Sequence, residues 1–308
     1  MKKLFYLFMV TMCAIAFTAC SDDDNTKDPI DDDNGGEEMI TAVYESEYEF
    51  DLELNIGTFK EGENITIAWG DGGVSEFKSF AITDSWGYYG NDELHYAIGQ
   101  DMVKHKYPDY NAHTITITGK IKEFYCYDVL TYLDVSKCTA LVNLYCGDND
   151  ISSLDVSNCT ALTELECFAN NLTSLDISKN TALTHLRCST NYISSLDVSK
   201  CTALTKLSCS DNNLTSLDVS KNTALTELSC GGNNLTSLDV SKNTALTELW
   251  CHNNNLSADA HNKIFNDLPQ GKKVNDGYYS QSTIYIYNNP GTNTCDKCIA
   301  TNKGWRVQ

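Results

Sequence analysis

The chain has 308 residues, enough for one large domain or two modest ones. Its 42 acidic residues outnumber 22 basic ones, for a formal net charge of -20, which argues against a nucleic-acid partner. Gly, Asn, Ser and Thr are plentiful, Pro numbers four, and no apolar run long enough to span a membrane follows the N-terminus, so a turn-rich β or solenoid chain is expected.

Lys2 and Lys3 precede an apolar run from Leu4 to Phe17, and Phe17-Thr18-Ala19-Cys20 follows. A basic start, a short apolar core and small residues before a cut predict a secretory signal over 1–19. The cysteine directly after the small residues resembles the lipobox of bacterial lipoproteins, with Phe17 where leucine is commoner. The resemblance implies that Cys20 carries lipid and anchors the chain to a membrane; the alternative is an ordinary signal peptide with a chance cysteine. Ser21-Asp22-Asp23-Asp24 comes next, then Asp31, Asp32, Asp33, Glu37 and Glu38. Such a tract buries little apolar area, so 20–39 is expected to be a solvated tether. It also resembles the acidic surface-export signal of Bacteroidota lipoproteins, which implies an outer-membrane protein exposed on the cell surface. A plain spacer is the alternative.

Within 40–119, Ile65-Thr66-Ile67-Ala68-Trp69 and Thr114-Ile115-Thr116-Ile117-Thr118 alternate with period 2, as strands do. Trp69-Gly70-Asp71-Gly72 marks a tight turn, and His105-Lys106-Tyr107 follows later. W-G-D-G, then H-x-Y, then a T-I-T-I strand resembles the PKD (polycystic kidney disease) domain, which implies a small immunoglobulin-like β-sandwich. The stretch Trp86 to Tyr96 departs from that pattern and reads as an inserted loop. No nucleophile accompanies Asp71 and His105, so they read as turn and packing residues rather than as catalytic ones.

Residues 120–256 repeat one phrase. Cys146, Cys167, Cys188, Cys209, Cys230 and Cys251 are each 21 residues apart, and columns from Leu141 to Leu246 and from Asn149 to Asn254 keep the same step. An incomplete unit, Ile121 to Cys138, precedes them. The unit L-x-x-L-x-C-x-x-N-x-L is that of the leucine-rich repeat, with cysteine in the third apolar slot, and resembles cysteine-ladder repeats of internalin-like surface proteins. Residues i and i+2 of a strand share a face, so Leu144 and Cys146 are expected inside, each stacked on its copy about 4.8 Å away. The asparagines are expected to satisfy turn N–H and C=O groups. Stacked cysteines pointing the same way suit neither a disulfide nor a tetrahedral metal site, so reduced, packed thiols are expected. A second interior slot alternates Cys138, Cys159 and Cys201 with Asn180, Asn222 and Asn243. The column Asp134, Asp155, Asp176, Asp197, Asp218 and Asp239 is expected to cap its own turns, with a calcium ladder as the alternative.

Residues 257–308 are expected to cap the solenoid. Ser257 begins a helix through about Leu268, with Ile264, Phe265 and Leu268 on the last coil. Thr283 to Gly291 reads as one more strand and turn, and a helix near Cys295 to Asn302 leads to Trp305. Cys295 and Cys298 read as a cap disulfide or as plain packing.

The fold class expected is therefore mostly β: a PKD-like sandwich, a solenoid of 21-residue coils and a small α/β cap. Outward positions vary while the rest of the repeat hardly changes. The candidate ligand-binding residues there are Tyr145, Glu166, Phe168, His185, Arg187, Lys206, Trp250 and His252. Exposed aromatics and arginine are interface-anchoring types. A non-enzymatic surface recognition protein is expected, binding an extracellular protein or glycan, with no metal or cofactor. The alternatives are an envelope spacer, or an enzyme using a carboxylate pair among Glu164, Glu166, Glu227 and Glu248 on a polysaccharide.

Overall fold

Alternation of apolar and polar residues buries one face of N-terminal strands such as Asn64–Ala68 and His113–Thr118. The computed structural model describes residues 38–45, 52–58, 64–78, 103–127, 130–271 and 281–308. The expected signal, Cys20, nearly all of the tether and the Trp86 to Tyr96 loop lie outside the described residues. The first strands are β1 (Met39–Tyr44), β2 (Leu52–Thr58), β3 (Asn64–Ala68), β4 (Val74–Lys78), β5 (Val103–His105), β6 (His113–Thr118), β7 (Ile121–Tyr125) and β8 (Leu130–Asp134). One sheet has the order β4-β3-β6-β1-β8. In the other, β2 lies antiparallel between β5 and β7. Ile40, Leu52, Leu54, Ile65, Ile67, Ile115 and Ile117 are buried with Phe124 in one continuous core. Asp71 closes its turn by accepting from Gly73 N, while its other oxygen lies 2.7 Å from His105 Nε2. His105 stacks on Trp69, and Tyr107 donates to the Trp69 carbonyl.

The expected division at 119/120 falls between strands that share sheets: β1 pairs with β8, and β2 with β7. Glu38 and Met39, expected in the solvated tether, belong to the folded part. The Glu38 carboxylate accepts from Ile121 N at 2.9 Å and from Ala140 N at 3.1 Å. One carboxylate thus satisfies two backbone N–H groups at the start of the solenoid at once.

In the second sheet β7 is followed not by β8 but by a run of parallel strands in register. β9 (Asn143–Tyr145), β10 (Glu164–Glu166), β11 (His185–Arg187), β12 (Lys206–Ser208), β13 (Glu227–Ser229) and β14 (Glu248–Trp250) pair each residue with its copy 21 positions on. After each strand the backbone bends through positive φ at Asp148, Ala169, Thr190, Asp211, Gly232 and Asn253. Left-handed backbone costs a non-glycine residue roughly 1–2 kcal/mol. The asparagine that follows holds the bend. Asn212 Oδ1 accepts from Ile193 N, and its Nδ2 donates to the carbonyls of Cys188, Cys209 and Ser210. Its copies from Asn149 to Asn254 make equivalent bonds, linking each coil to the one before.

The cysteine ladder is buried and unbridged. Burial pushes the Cys146, Cys188 and Cys230 thiols up to about 12, so they are neutral at physiological pH. The second slot is also interior, and both of its residue types do one job. Asn222 Nδ2 donates to the carbonyls of Val198 and Cys201, and Cys201 Sγ donates to those of Ile177 and Asn180. The aspartate column caps turns: each carboxylate, as at Asp197, accepts from the N–H of the serine two residues on. That bond leads the causes lowering the pKa of Asp155, Asp176, Asp197 and Asp218.

At the far end α1 (Ala258–Asp267) starts at Ser257, whose hydroxyl accepts from Ala260 N. β15 (Thr283–Tyr285) adds a parallel strand beside β14. Asn289 extends the asparagine ladder, accepting from Asn254 N and Leu256 N and donating to the Cys251 carbonyl. α2 (Cys298–Asn302) starts later than expected, because Asp296 Oδ1 accepts from Cys298 N and turns occupy the residues before it. Cys295 and Cys298 are free thiols. β16 (Arg306–Val307) pairs with β15, and buried Trp305 donates to the Pro269 carbonyl. His261 on α1 is wholly buried, and neither ring nitrogen has a hydrogen-bond partner among the described residues.

Asn212→Ala should lower stability by about 3 kcal/mol in urea denaturation, because buried turn groups lose their partner. Cys201→Asn should be tolerated, since copies on either side already carry Asn. Cys209→Ser, in the apolar ladder, should cost about 1–3 kcal/mol. Equal losses at the two cysteine sites would contradict the distinct roles assigned here. Burial lowers the His261 pKa, so on acidification the unfolded chain takes up the proton first. Stability should then be full above about pH 6.5 and fall by up to about 1.4 kcal/mol per pH unit below it. His261→Leu should flatten that slope in melts at about pH 7.5 and about pH 5.

Candidate binding face

The outward residues of the parallel strands form columns because the register is unshifted from β9 to β15. One column runs Asn143, Glu164, His185, Lys206, Glu227, Glu248, Thr283; the next runs Tyr145, Glu166, Arg187, Ser208, Ser229, Trp250, Tyr285. A third, just past each buried cysteine, holds Tyr127, Gly147, Phe168, Ser189, Ser210, Gly231 and His252, and Tyr287 follows Ile286 in the added coil. All eight residues singled out from the sequence lie on this face, half-buried.

The structure sorts them into patches. At the N-terminal end the Arg187 guanidinium lies 4.4 Å above the Phe168 ring and 3.7 Å from Glu166. Tyr127 OH donates to the same carboxylate at 3.2 Å, and its ring lies 5.7 Å from Phe168. Burial raises the Glu166 pKa while Arg187 opposes it. Tyr145 OH donates to Glu164, and Tyr145 lies 6.1 Å from Tyr125. Phe168 lies flat across the previous coil because that coil has Gly147 there; a Cβ would come within 2.4 Å of the ring.

The middle of the face is small and polar. Ser189 and Ser208 are 2.7 Å apart through their hydroxyls, as are Ser210 and Ser229. Lys206 pairs with Glu227 at 2.9 Å. His185 lies 3.9 Å from Glu164; burial lowers its pKa against the pull of that carboxylate.

At the C-terminal end Trp250 stacks on Tyr285, with centroids 5.5 Å apart and planes 4° from parallel. His252 stacks on Tyr287 at 4.3 Å. Gly231 makes room for His252 as Gly147 does for Phe168; a Cβ there would lie 2.6 Å from the imidazole. Burial, followed by Glu227, raises the Glu248 pKa.

Tyr125, Tyr127, Tyr285 and Tyr287 were not among the residues singled out from the sequence. The signal was present: Thr283-Ile284-Tyr285-Ile286-Tyr287-Asn288-Asn289 copies Glu248-Leu249-Trp250-Cys251-His252-Asn253-Asn254, but after a helix rather than at the 21-residue step. Three of the four carboxylates considered for catalysis are engaged: Glu164 by Tyr145, Glu166 by Tyr127 and Arg187, and Glu227 by Lys206. Among the described residues no cluster of three or more His, Cys, Asp or Glu side chains is placed to hold a metal.

No family model and no curated protein matches this chain. Among solved structures it is similar to the functional domain of InlJ from Listeria monocytogenes, which includes a cysteine ladder, with 28% identity and a TM-score of 0.43 over 60% of this chain and 49% of that one. It is also similar to a leucine-rich-repeat protein of Leptospira interrogans, with 24% identity and a TM-score of 0.42 over 44% of this chain and 37% of that one. An internalin, InlF, from Listeria monocytogenes is similar at 18% identity with a TM-score of 0.45, covering 56% of this chain and 55% of that one. The chain thus spans about half or less of the first two solved structures.

Proposed function

We propose that this chain is a non-enzymatic recognition protein whose strand face binds a protein outside the cell. One observation carries the reading: the buried positions hardly vary from coil to coil, whereas one outward strip varies and gathers its aromatics into two patches around a polar middle. The interior columns are constrained by stacking, and the outward columns are not. Aromatic and arginine side chains held half-buried on a rigid sheet can anchor a partner with little ordering cost. Glu166 and Glu248, whose carboxylates are pushed up by burial, are already partly dried before any partner arrives.

The N-terminal part completes the proposal. Cys20, after its apolar segment, carries the lipid that holds the chain to an outer membrane, and the acidic tether passes it to the cell surface. The strands of 40–119, with their PKD-like W-G-D-G and H-x-Y, hold the solenoid away from the lipid.

Protease applied to intact cells expressing the full chain should remove the repeat domain, with lysed cells as the positive control. Radiolabelled palmitate should enter the wild type and not Cys20→Ser. Survival of the domain on intact cells would rule out surface display. Against immobilised host proteins and a glycan array, Phe168→Ala or Trp250→Ala should cut binding by at least about tenfold, and Asp197→Asn should not. Retention by glycans alone would overturn the protein-partner reading, and indifference to both face variants would overturn the face.

A further inference from the structure

We propose that Glu248, Trp250 and Tyr285 form a receptor for a cationic side chain, arginine or lysine, on the partner protein. This rests on the reading of the strand face as a binding surface and specifies the chemistry of what it binds.

The two ends of the face hold the same kinds of group in different states. At the N-terminal end an aromatic ring and a carboxylate surround a cation, and the chain supplies that cation itself: Arg187 over Phe168, beside Glu166. At the C-terminal end the aromatic wall is larger and a carboxylate again stands beside it. Glu248 and Trp250 are two apart on β14, so both project outward from one strand. Here no cation lies at contact distance from the carboxylate among the described residues. Lys206 is 2.9 Å from Glu227 and its charge reaches Glu248 only as a lesser pull against burial and Glu227, and Glu248 makes no hydrogen bond or close ion pair among the described residues.

The register places a short neighbour and an acidic one beside this pair. The neighbour of Trp250 on β13 is Ser229, too short to cover an indole, and the serine is tied down by Ser210. The neighbour of Glu248 on that strand is Glu227, so a second carboxylate borders the same spot. Tyr285 backs the indole on its other side, in parallel. A planar guanidinium or an ammonium placed over Ser229 would meet the indole face and the Glu248 carboxylate together, the two attractions that hold Arg187 at the other end. The chain's net charge of -20 draws a basic surface toward the face before contact.

The test uses fluorescein-labelled hexa-arginine as the probe, titrated into the full-length chain by anisotropy, with labelled hexa-glutamate as the opposite-charge control. Hexa-arginine should bind, more weakly at high salt. Glu248→Gln should weaken it about tenfold, Trp250→Ala at least as much, and Trp250→Phe less. Asp197→Asn removes one charge from a different column and should leave the affinity unchanged. Unchanged melting temperatures establish that the variants are folded, and the Trp250→Phe and Glu248→Gln results suffice if Trp250→Ala does not fold. Absence of hexa-arginine binding, or equal weakening by Glu248→Gln and Asp197→Asn, overturns the receptor, the latter because the probe would then be sensing net charge alone. Should the receptor fail while protein binding still depends on Phe168, the strand face stands and only the cationic partner is wrong. Should protein binding also ignore Phe168 and Trp250, the face reading itself falls.

Discussion

The structure depends on one side-chain amide per coil. Each coil must leave its strand through a sharp left-handed bend, and the bend strands carbonyls and N–H groups in the interior. The asparagine after the bend reaches back with both ends of its amide: Asn191, for example, accepts from Leu172 N and donates to carbonyls of its own coil and the preceding one. Buried backbone groups left unpaired would cost more than the bend itself. With the amide in place, residues as unsuited to positive φ as Ala169 and Thr190 are held there. The Asn ladder thus ties each coil to the one before, at the spacing that parallel strand pairing gives the stacked leucines and thiols.

A rigid interior has a consequence for the surface. Once stacking fixes the buried columns, the outward ones are free to differ, and in this chain they do. Relief on a flat sheet needs room, and the two glycines supply it. Gly147 lets Phe168 lie down, and Gly231 does the same for His252, so each ring covers a neighbouring coil rather than standing into water. The serines between them keep the middle of the face low. Two aromatic patches separated by a polar strip follow from three short sequence choices at equivalent positions.

Much of this was legible in the chain because a strict period turns sequence positions into spatial columns. The buried cysteines, the asparagine ladder and the aspartate turns could be placed without coordinates, since each has one chemically satisfactory location in a stacked coil. Glu38 could not: in a run of acids it looks like tether, and only the presence of Ile121 N and Ala140 N shows it to be a cap. Tyr285 and Tyr287 were missed because the helix breaks the period before the pattern resumes. The merging of the N-terminal strands with the first coil was also invisible, since β1–β8 and β2–β7 pairing joins residues far apart in sequence.

The sequence by itself determined that this chain is a stack of leucine-rich coils with reduced thiols inside, because a 21-residue period admits few ways to bury its apolar residues and satisfy its turns. It also determined which outward positions vary. The tertiary structure decided which of those side chains meet, which carboxylates are already engaged, and that among the described residues Glu248 beside Trp250 has neither a hydrogen bond nor a close ion pair. Those facts depend on register between coils and on rings lying across neighbours, and local sequence encodes neither.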